Sequence, residues 1–354
     1  MKKASTMLLA AVLTASALTA CAGNAATPST PASAATPATS VSAPAASAKV
    51  KMGLAVLTTS TKSTDAGEKD GAAKSDSVVA AVMLGEDGKI LACNLDVLQS
   101  SINFSNEGKI TTDLATVFKT KQELKEGYNM KGVSKIQKEW YEQANFLADY
   151  VIGKTVEEVK GIAVDDKGVP TGAELTASVT VKIHDYIAVI EKAVANAVET
   201  DATAQDQLGL AMVDNIAKSK DAGEKDGLAQ TYTTYAAVTV GADGKITSCA
   251  LDATQANVNF DATGKITTDL SATVKTKNEL KEGYNMKGVS KIGKEWYEQA
   301  AAYTTYVTGK TADEVSGIAL DESEKPTDSE LLAGVTISIG DFNAVVAKAA
   351  ANAK

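Results

Sequence analysis

The 354-residue chain contains no arginine, and all 35 of its Lys and Arg positions are lysines. Arginine is the side chain that grips phosphates and carboxylates with two parallel hydrogen bonds, so clamps of that kind are excluded. The formal net charge of −9 also argues against nucleic-acid binding. A phosphorylated ligand would have to be held by backbone amides, by lysines or through a covalent bond.

Histidine and cysteine are scarce as well. The only histidine is His184, which excludes histidine-rich metal sites, and we expect it on the surface. The three cysteines form no Cys-x-x-Cys pair, which excludes thioredoxin-like chemistry and attachment of c-type haem. Cys93 and Cys249 lie in apolar stretches and are predicted to be buried strand residues, with a disulfide between them as the alternative.

The strongest positive feature is an internal repeat. Residues 49–200 (the first half) and 205–354 (the second half) are one sequence written twice, at a constant offset of 156. The copies agree best over 119–144 and 275–300, which differ only at Gln122/Asn278 and Gln137/Gly293. A period of this length is the size of a whole domain, so the repeat predicts two tandem domains of the same kind, each able to fold alone.

The N-terminal residues predict export. Lys2 and Lys3 form a basic start, and the apolar run from Met7 to Leu18 is too short to span a bilayer. Residues 1–20 are therefore predicted to be a signal peptide. The ending Leu-Thr-Ala-Cys21 resembles a bacterial lipobox, which implies cleavage before Cys21 and lipid on its sulfur. An ordinary signal peptide followed by a chance cysteine is the alternative.

Residues 21–48 consist almost entirely of alanine, threonine, serine and proline. Such a segment cannot bury enough apolar surface to fold, so we expect a disordered linker. Signal, lipid and linker together predict a protein that is lipid-anchored to the cell membrane on its extracytoplasmic face.

Each half begins with patterns typical of strands. An apolar segment at 53–57 is followed by two β-rich runs, 78–84 and 89–95, joined by Gly85-Glu-Asp-Gly88, which is a hairpin signal. A further strand is predicted over 104–112. The loop 65–71, repeated without change at 221–227, indicates a turn, with a ligand-cradling role as the alternative.

Helical patterns follow the strands. A helix is predicted over 134–150 with Ser134 as its cap, and a final helix over 186–197 capped by Asp185. Between them, 155–161 and 171–177 are each predicted to be a short amphipathic turn or helix. Strands first and helices after them predict an α+β fold, with two tandem copies of a small antiparallel-sheet domain flanked by helices.

The two tryptophans, Trp140 and Trp296, lie in the repeated Lys-Glu-Trp-Tyr-Glu-Gln segment. Packing of a helix and contact with a flat cofactor are both open explanations for them.

The end of each half resembles a known attachment motif. Glu174-Leu-Thr-Ala-Ser-Val-Thr180 and Glu330-Leu-Leu-Ala-Gly-Val-Thr336 are similar to a segment of the FMN-binding domain family. In that family an Asp-x-x-Ser/Thr-Gly/Ala/Ser-Ala-Thr motif receives FMN through a phosphoester on its final threonine. The resemblance implies covalent FMN on Thr180 and Thr336, with Glu174 and Glu330 in the place of the acidic residue and with Trp140 and Trp296 near the cofactor.

With the lipobox, the whole chain resembles the flavinylated lipoproteins of extracellular electron transfer in Gram-positive bacteria. This implies a redox carrier, rather than a conventional enzyme, that passes electrons from a membrane donor to extracellular acceptors after a flavin transferase has loaded it. The flavin would supply the redox chemistry, and the protein its position and electrostatics. The alternatives are a lipoprotein that binds FMN or another small ligand noncovalently, and a cofactor-free cell-surface interaction protein.

We predict that replacing Cys21 with serine releases the protein from membranes, because the lipid would have no sulfur to join. Membrane fractionation of the expressing host measures this. Cys93→Ser is the matched control and should leave the protein in the membrane fraction. Sedimentation of the Cys21→Ser protein with membranes would show that the anchor assignment is wrong.

Overall fold

The computed structural model describes residues 49–354, which belong to one compact unit. The predicted signal peptide, Cys21 and the linker lie outside the described residues. The described chain is α+β, with one antiparallel sheet of four strands and one of three. This confirms the fold class expected from strands that precede helices.

The two halves have the same order of elements. The first half contains β1 (Val50–Thr59), β2 (Gly71–Leu84), β3 (Ile90–Phe104), α1 (Lys121–Leu124), a 3-10 turn (Lys125–Tyr128), α2 (Trp140–Tyr150), α3 (Val156–Lys160), α4 (Ala173–Thr176), α5 (His184–Ala195) and β4 (Val198–Thr200). The second contains β5 (Gln207–Asn215), β6 (Gly227–Val240), β7 (Ile246–Phe260), α6 (Lys277–Leu280), a 3-10 turn (Lys281–Tyr284), α7 (Trp296–Val307), α8 (Ala312–Ser316), α9 (Ser329–Leu332) and α10 (Gly340–Ala351). The sheet orders are β3-β2-β1-β4 and β5-β6-β7.

Each sheet is buried on both faces. Along β2, Val79, Ala81 and Met83 enter one core, while Ala80 and Val82 enter another. This is the two-residue alternation of a strand, and apolar residues occupy both sides because neither side meets water. The predicted hairpin is therefore confirmed, although both of its strands extend well beyond the predicted bounds.

The outer face of each sheet is covered by the helices of its own half. In the first half, Trp140 and Leu147 of α2 and Val189 and Ile190 of α5 pack there. The second half repeats this core with α7 and α10. The inner faces pack on each other, with Met52 and Leu54 in the same core as Leu210, Met212 and Tyr235. The layers are therefore helix, sheet, sheet, helix.

Polar contacts between the halves come in reciprocal pairs. The Ala66 amide donates to the Gly264 carbonyl, and the Ala222 amide donates to the Gly108 carbonyl, both at 2.8 Å. Asp65 accepts a hydrogen bond from the Ile266 amide at 2.8 Å, as Asp221 does from the Ile110 amide. The repeated loops 65–71 and 221–227 thus bind the opposite half, which accounts for their repetition without a ligand.

Two further contacts follow the same internal symmetry. Lys192 pairs with Glu279 at 2.8 Å, and Lys348 pairs with Glu123 at 2.7 Å. Phe104 and Phe260 stack with their ring centres 4.2 Å apart and their planes 8° from parallel. The halves therefore share cores, and the expectation that each half folds alone stays a prediction.

The predicted strand over 104–112 is wrong. Phe104 is the last residue of β3, and the chain then turns, with the Gly108 amide donating to the Ser105 carbonyl at 3.0 Å. Gly108 has a φ of +67°, and a Cβ there would lie 2.8 Å from the Ala222 side chain of the other half. The turn is therefore needed for the contact between the halves.

Two helix starts also differ from prediction. The helix α2 begins at Trp140 rather than Ser134, because Glu139 and Glu142 form a capping box there. The final helix begins at His184, so Asp185 lies in its first turn instead of capping it. The stretch 180–183 before this helix is irregular.

The sequence reasoning missed α1 and α6. The pattern Thr120-x-x-Glu123 is a capping box, in which the threonine side chain accepts from the Glu123 amide and the glutamate accepts from the Thr120 amide. Thr276 and Glu279 repeat it. The signal was present, since Thr-x-x-Glu is a helix-start pattern.

We expect Phe104→Ala to lower the free energy of unfolding by about 3–5 kcal/mol, the usual cost of emptying a buried aromatic site. Phe104 is fully buried and stacks on a ring of the other half. Urea denaturation of the mature protein measures the loss, and Val133→Ala, at a residue 83% exposed, is the control. A loss no larger than that of the control would show that the stack does not hold the halves together.

Candidate functional site

The buried Gln143 joins the tryptophan helix α2 to the segment that carries Thr180. Its Oε1 accepts hydrogen bonds from the Thr180 amide at 2.8 Å, the Val181 amide at 3.2 Å and the Thr180 hydroxyl at 3.3 Å. Its Nε2 donates to the Ser134 hydroxyl and the Lys138 carbonyl. One glutamine thus supplies the hydrogen-bond acceptor for the backbone amides of Thr180 and Val181 and fixes the position of this irregular segment.

The second half repeats this arrangement. Gln299 is fully buried and accepts from the Thr336 amide at 2.9 Å and from the Thr336 hydroxyl at 3.4 Å. Its amide group donates to the Ser290 hydroxyl and the Lys294 carbonyl. Sequence reasoning had no role for these glutamines, although they are part of the repeated Lys-Glu-Trp-Tyr-Glu-Gln segment.

Next to each threonine segment lies a cavity walled by aromatic residues and lysines. The first cavity has a volume of about 520 Å³, and its lining includes Lys62, Asp76, Lys121, Tyr128, Met130, Trp140, Val181, Lys182, Asp185 and Tyr186. The second cavity has a volume of about 340 Å³, and its lining includes Lys218, Tyr232, Lys277, Tyr284, Met286, Trp296, Glu324, Ile337, Ser338, Asp341 and Phe342. Most of these residues correspond at the offset of the repeat.

The tryptophans are core residues that also border the cavities. Trp140 is 2% exposed and donates from its ring nitrogen to the Tyr186 hydroxyl at 2.8 Å. Trp296 is equally buried and packs edge-on against Phe342, with ring centres 5.7 Å apart. Helix packing is therefore observed for both, and each also lines the cavity of its half.

One buried lysine stands in each cavity. Lys121 Nζ lies 4.4 Å from the Tyr128 ring centre and 5.3 Å from that of Trp140. Burial lowers the pKa of Lys121 to about 8, against an opposing attraction by Asp76. Burial, with a smaller contribution from Lys218, lowers the pKa of Lys277 to about 7.

The threonines themselves lie beside the cavities rather than in their walls. In both halves it is the next two residues, Val181 and Lys182 or Ile337 and Ser338, that line the cavity. Thr336 instead borders a neighbouring hollow of about 350 Å³ whose lining includes Lys291 and Lys325. Both threonines are half-buried.

The glutamates of the motif are placed differently from the threonines. Glu174 is exposed on α4 and Glu330 is exposed on α9. Glu330 borders a further hollow together with Tyr306 and Lys310. Neither glutamate hydrogen-bonds to the threonine of its half within the described chain. The structure therefore brings together the threonine segments and the tryptophans, but not the glutamates.

Three other expectations concern cysteine, histidine and metals. Cys93 and Cys249 are free thiols on β3 and β7 of different halves. Cys93 is buried, as predicted, whereas Cys249 is half-buried and packs against the outer core of its half. Burial raises the pKa of each to about 12. His184 is exposed, as expected. Within residues 49–354 no three His, Cys, Asp or Glu residues are grouped as metal ligands would be.

None of the helices described is both long and apolar enough for a bilayer crossing.

Comparison with known proteins finds no matching family model, no matching curated protein and no matching solved structure.

We predict that Gln143→Met lowers the free energy of unfolding by about 2–4 kcal/mol, because two backbone amides at 180–181 lose their acceptor while the volume is nearly unchanged. Thermal or urea denaturation of the variant measures this. Gln205→Met, at an exposed position, is the control. A Gln143→Met protein as stable as the control would mean that the segment does not depend on this side chain.

Proposed function

We propose that the protein is a membrane-anchored, extracytoplasmic electron carrier that holds one FMN in each half, attached through a phosphoester to Thr180 and Thr336. Electrons would pass from a membrane donor to external acceptors, after a flavin transferase had loaded both sites. When bound, FMN supplies the redox chemistry, so no side chain of this chain need be catalytic.

The observation that carries this proposal is that the threonine segment, the tryptophan helix and a cavity adjoin one another in both halves. The threonine is tied to the tryptophan helix by a buried glutamine, and the residue after the threonine forms part of a cavity that the tryptophan also borders. A group attached to the threonine would therefore be close to the cavity, because the two residues that follow the threonine line it.

The cavities suit a flat ring system. Small-molecule sites usually enclose roughly 300–1,000 Å³ and combine apolar walls with a few polar groups, and both cavities fall in this range. In the first cavity the walls are Tyr128, Met130, Trp140 and Val181, and Lys121 supplies the main buried polar group.

The phosphate end would meet lysines, as the absence of arginine requires. Lys291 and Lys325 border the same hollow as Thr336 and would offset the charge that a phosphodiester keeps. In the first half, Lys182 lies two residues after Thr180 and is replaced by Ser338 in the second. The two bound flavins are therefore expected to have different potentials.

A noncovalent binding protein is the second candidate. The observation in its favour is that Thr336 borders the hollow with Lys291 and Lys325 but is not among the residues that line the second cavity. A ligand could occupy the cavity without any bond to the threonine.

We predict that protein made together with a flavin transferase gains roughly 440 Da per site, the mass of FMN less water. Intact-mass spectrometry measures the gain. Thr180→Ala and Thr336→Ala should each remove one increment, whereas Thr176→Ala, four residues before Thr180, should remove none. If the wild type gains no mass while the transferase flavinylates a known substrate, the covalent assignment is wrong and the binding-protein candidate replaces it.

A further inference from the structure

We propose that Lys121 and Lys277 determine ligand specificity, so that each cavity selects a flat aromatic ligand carrying a negative charge at its edge. The inference rests on the proposed function only for the identity of the ring as FMN. The cavity and its lysine stand without that assignment.

Neither of these two cations has a counter-ion in the part of the chain that the structure describes. Lys121 is 9% exposed and Lys277 is 4% exposed. Among residues 49–354, no carboxylate oxygen lies within 4.0 Å of either Nζ. A buried charge is costly unless it is paired, so a negative group from a ligand would complete each site.

Aromatic rings lie around both amines. Lys277 Nζ lies 4.3–5.0 Å from the ring centres of Tyr232, Tyr284 and Trp296, and it donates to the Tyr232 hydroxyl at 2.8 Å. Ring faces attract an ammonium but leave its remaining N–H groups without acceptors. Both lysines line open cavities, so a ligand can reach them.

The charged groups that lie near the two lysines do not form ion pairs with them. Asp76 lines the first cavity, but its carboxylate is engaged by Lys62 and by the Gln99 side-chain amide. In the second half Tyr232 occupies the equivalent position and carries no charge near neutrality, since burial raises its pKa. The remaining charged or titratable groups facing the two lysines are Asp96, Tyr128, Lys182, Asp185 and Tyr186 in the first half, and Lys218, Asp252, Tyr284, Glu324 and Asp341 in the second.

The preference of each cavity for an anionic ligand should depend on pH and decrease as the pH rises. Each lysine attracts an anion only when protonated, and burial lowers the pKa of Lys121 to about 8 and that of Lys277 to about 7. Anion binding should therefore be strongest near pH 6 and weaken as the pH rises through 7 and 8, first in the second cavity and then in the first.

Two probes with the same ring and different charge test the proposal. The ligands are 2-naphthoate and its neutral amide 2-naphthamide, titrated by NMR into the mature cofactor-free protein with both halves present. We expect the wild type to bind the carboxylate about tenfold more tightly at pH 6, equivalent to one charge-assisted hydrogen bond. The preference should fall severalfold by pH 9.

In Lys121→Met/Lys277→Met the carboxylate should lose its advantage while the amide still binds. Removing two buried cations should not destabilise the fold, which a thermal melt checks. Lys154→Met is the matched control, because Lys154 also lies 4.4 Å over a tyrosine ring but outside both cavities. It should keep the wild-type preference.

Three outcomes would overturn the proposal: a wild type that binds neither probe, a wild type that binds both equally, or a double variant that loses both probes to the same extent. The last would give the lysines a structural role only. These outcomes are independent of flavin mass, so the charge selection can hold even if covalent FMN is never found.

Discussion

The packing of the two sheets on each other is the constraint on which the rest of the structure depends. It buries one face of each sheet and leaves the other for helices, so β2 and β6 carry apolar residues on both faces. Loops that would otherwise be free become contacts, as Asp65 and Asp221 show by bonding amides of the opposite half. The same packing assigns both cavities to the helix-covered side of each half, because their tryptophans come from α2 and α7 and belong to the outer cores.

The fold class could be predicted from local patterns, because strand alternation and helical spacing are short-range signals. The contact between halves could not, because it joins residues such as Phe104 and Phe260 that are far apart in the chain. That contact also explains the wrong strand at 104–112: Gly108 forms a turn that touches the other half. For the site, the family resemblance predicted that Trp140 lies near a cofactor attached to Thr180. Gln143, which joins them, was missed because a glutamine in a helix usually faces water.

Burying Lys121 and Lys277 costs folding free energy. Placing an ammonium where it loses most of its hydration destabilises the fold, and the lowered pKa values of Lys121 and Lys277 report that cost. Aromatic faces return part of it, yet a leucine or methionine there would pack without the penalty. Both copies nevertheless have the lysine at the first position of a short capped helix, held by Thr120 or Thr276. A ligand that supplies the missing negative charge would give this arrangement a physical reason, since no ion pair among residues 49–354 does so.

The two cavities differ at several lining positions. Lysine, tyrosine, methionine and tryptophan from the 119–144 segment recur unchanged in the second cavity, whereas some residues from the strands and the final segment change, as at Asp76/Tyr232, Lys182/Ser338 and Tyr186/Phe342. The exchange of Asp76 has a direct consequence: Lys62 has a carboxylate partner, but its counterpart Lys218 has none among the described residues. The lining residues that both cavities share would hold the same kind of ring in both halves. The wall formed by the residues that differ would surround that ring with different charge. Charge near a flavin tunes its potential, so duplication followed by change at this wall would give one chain two carriers that accept electrons at different potentials.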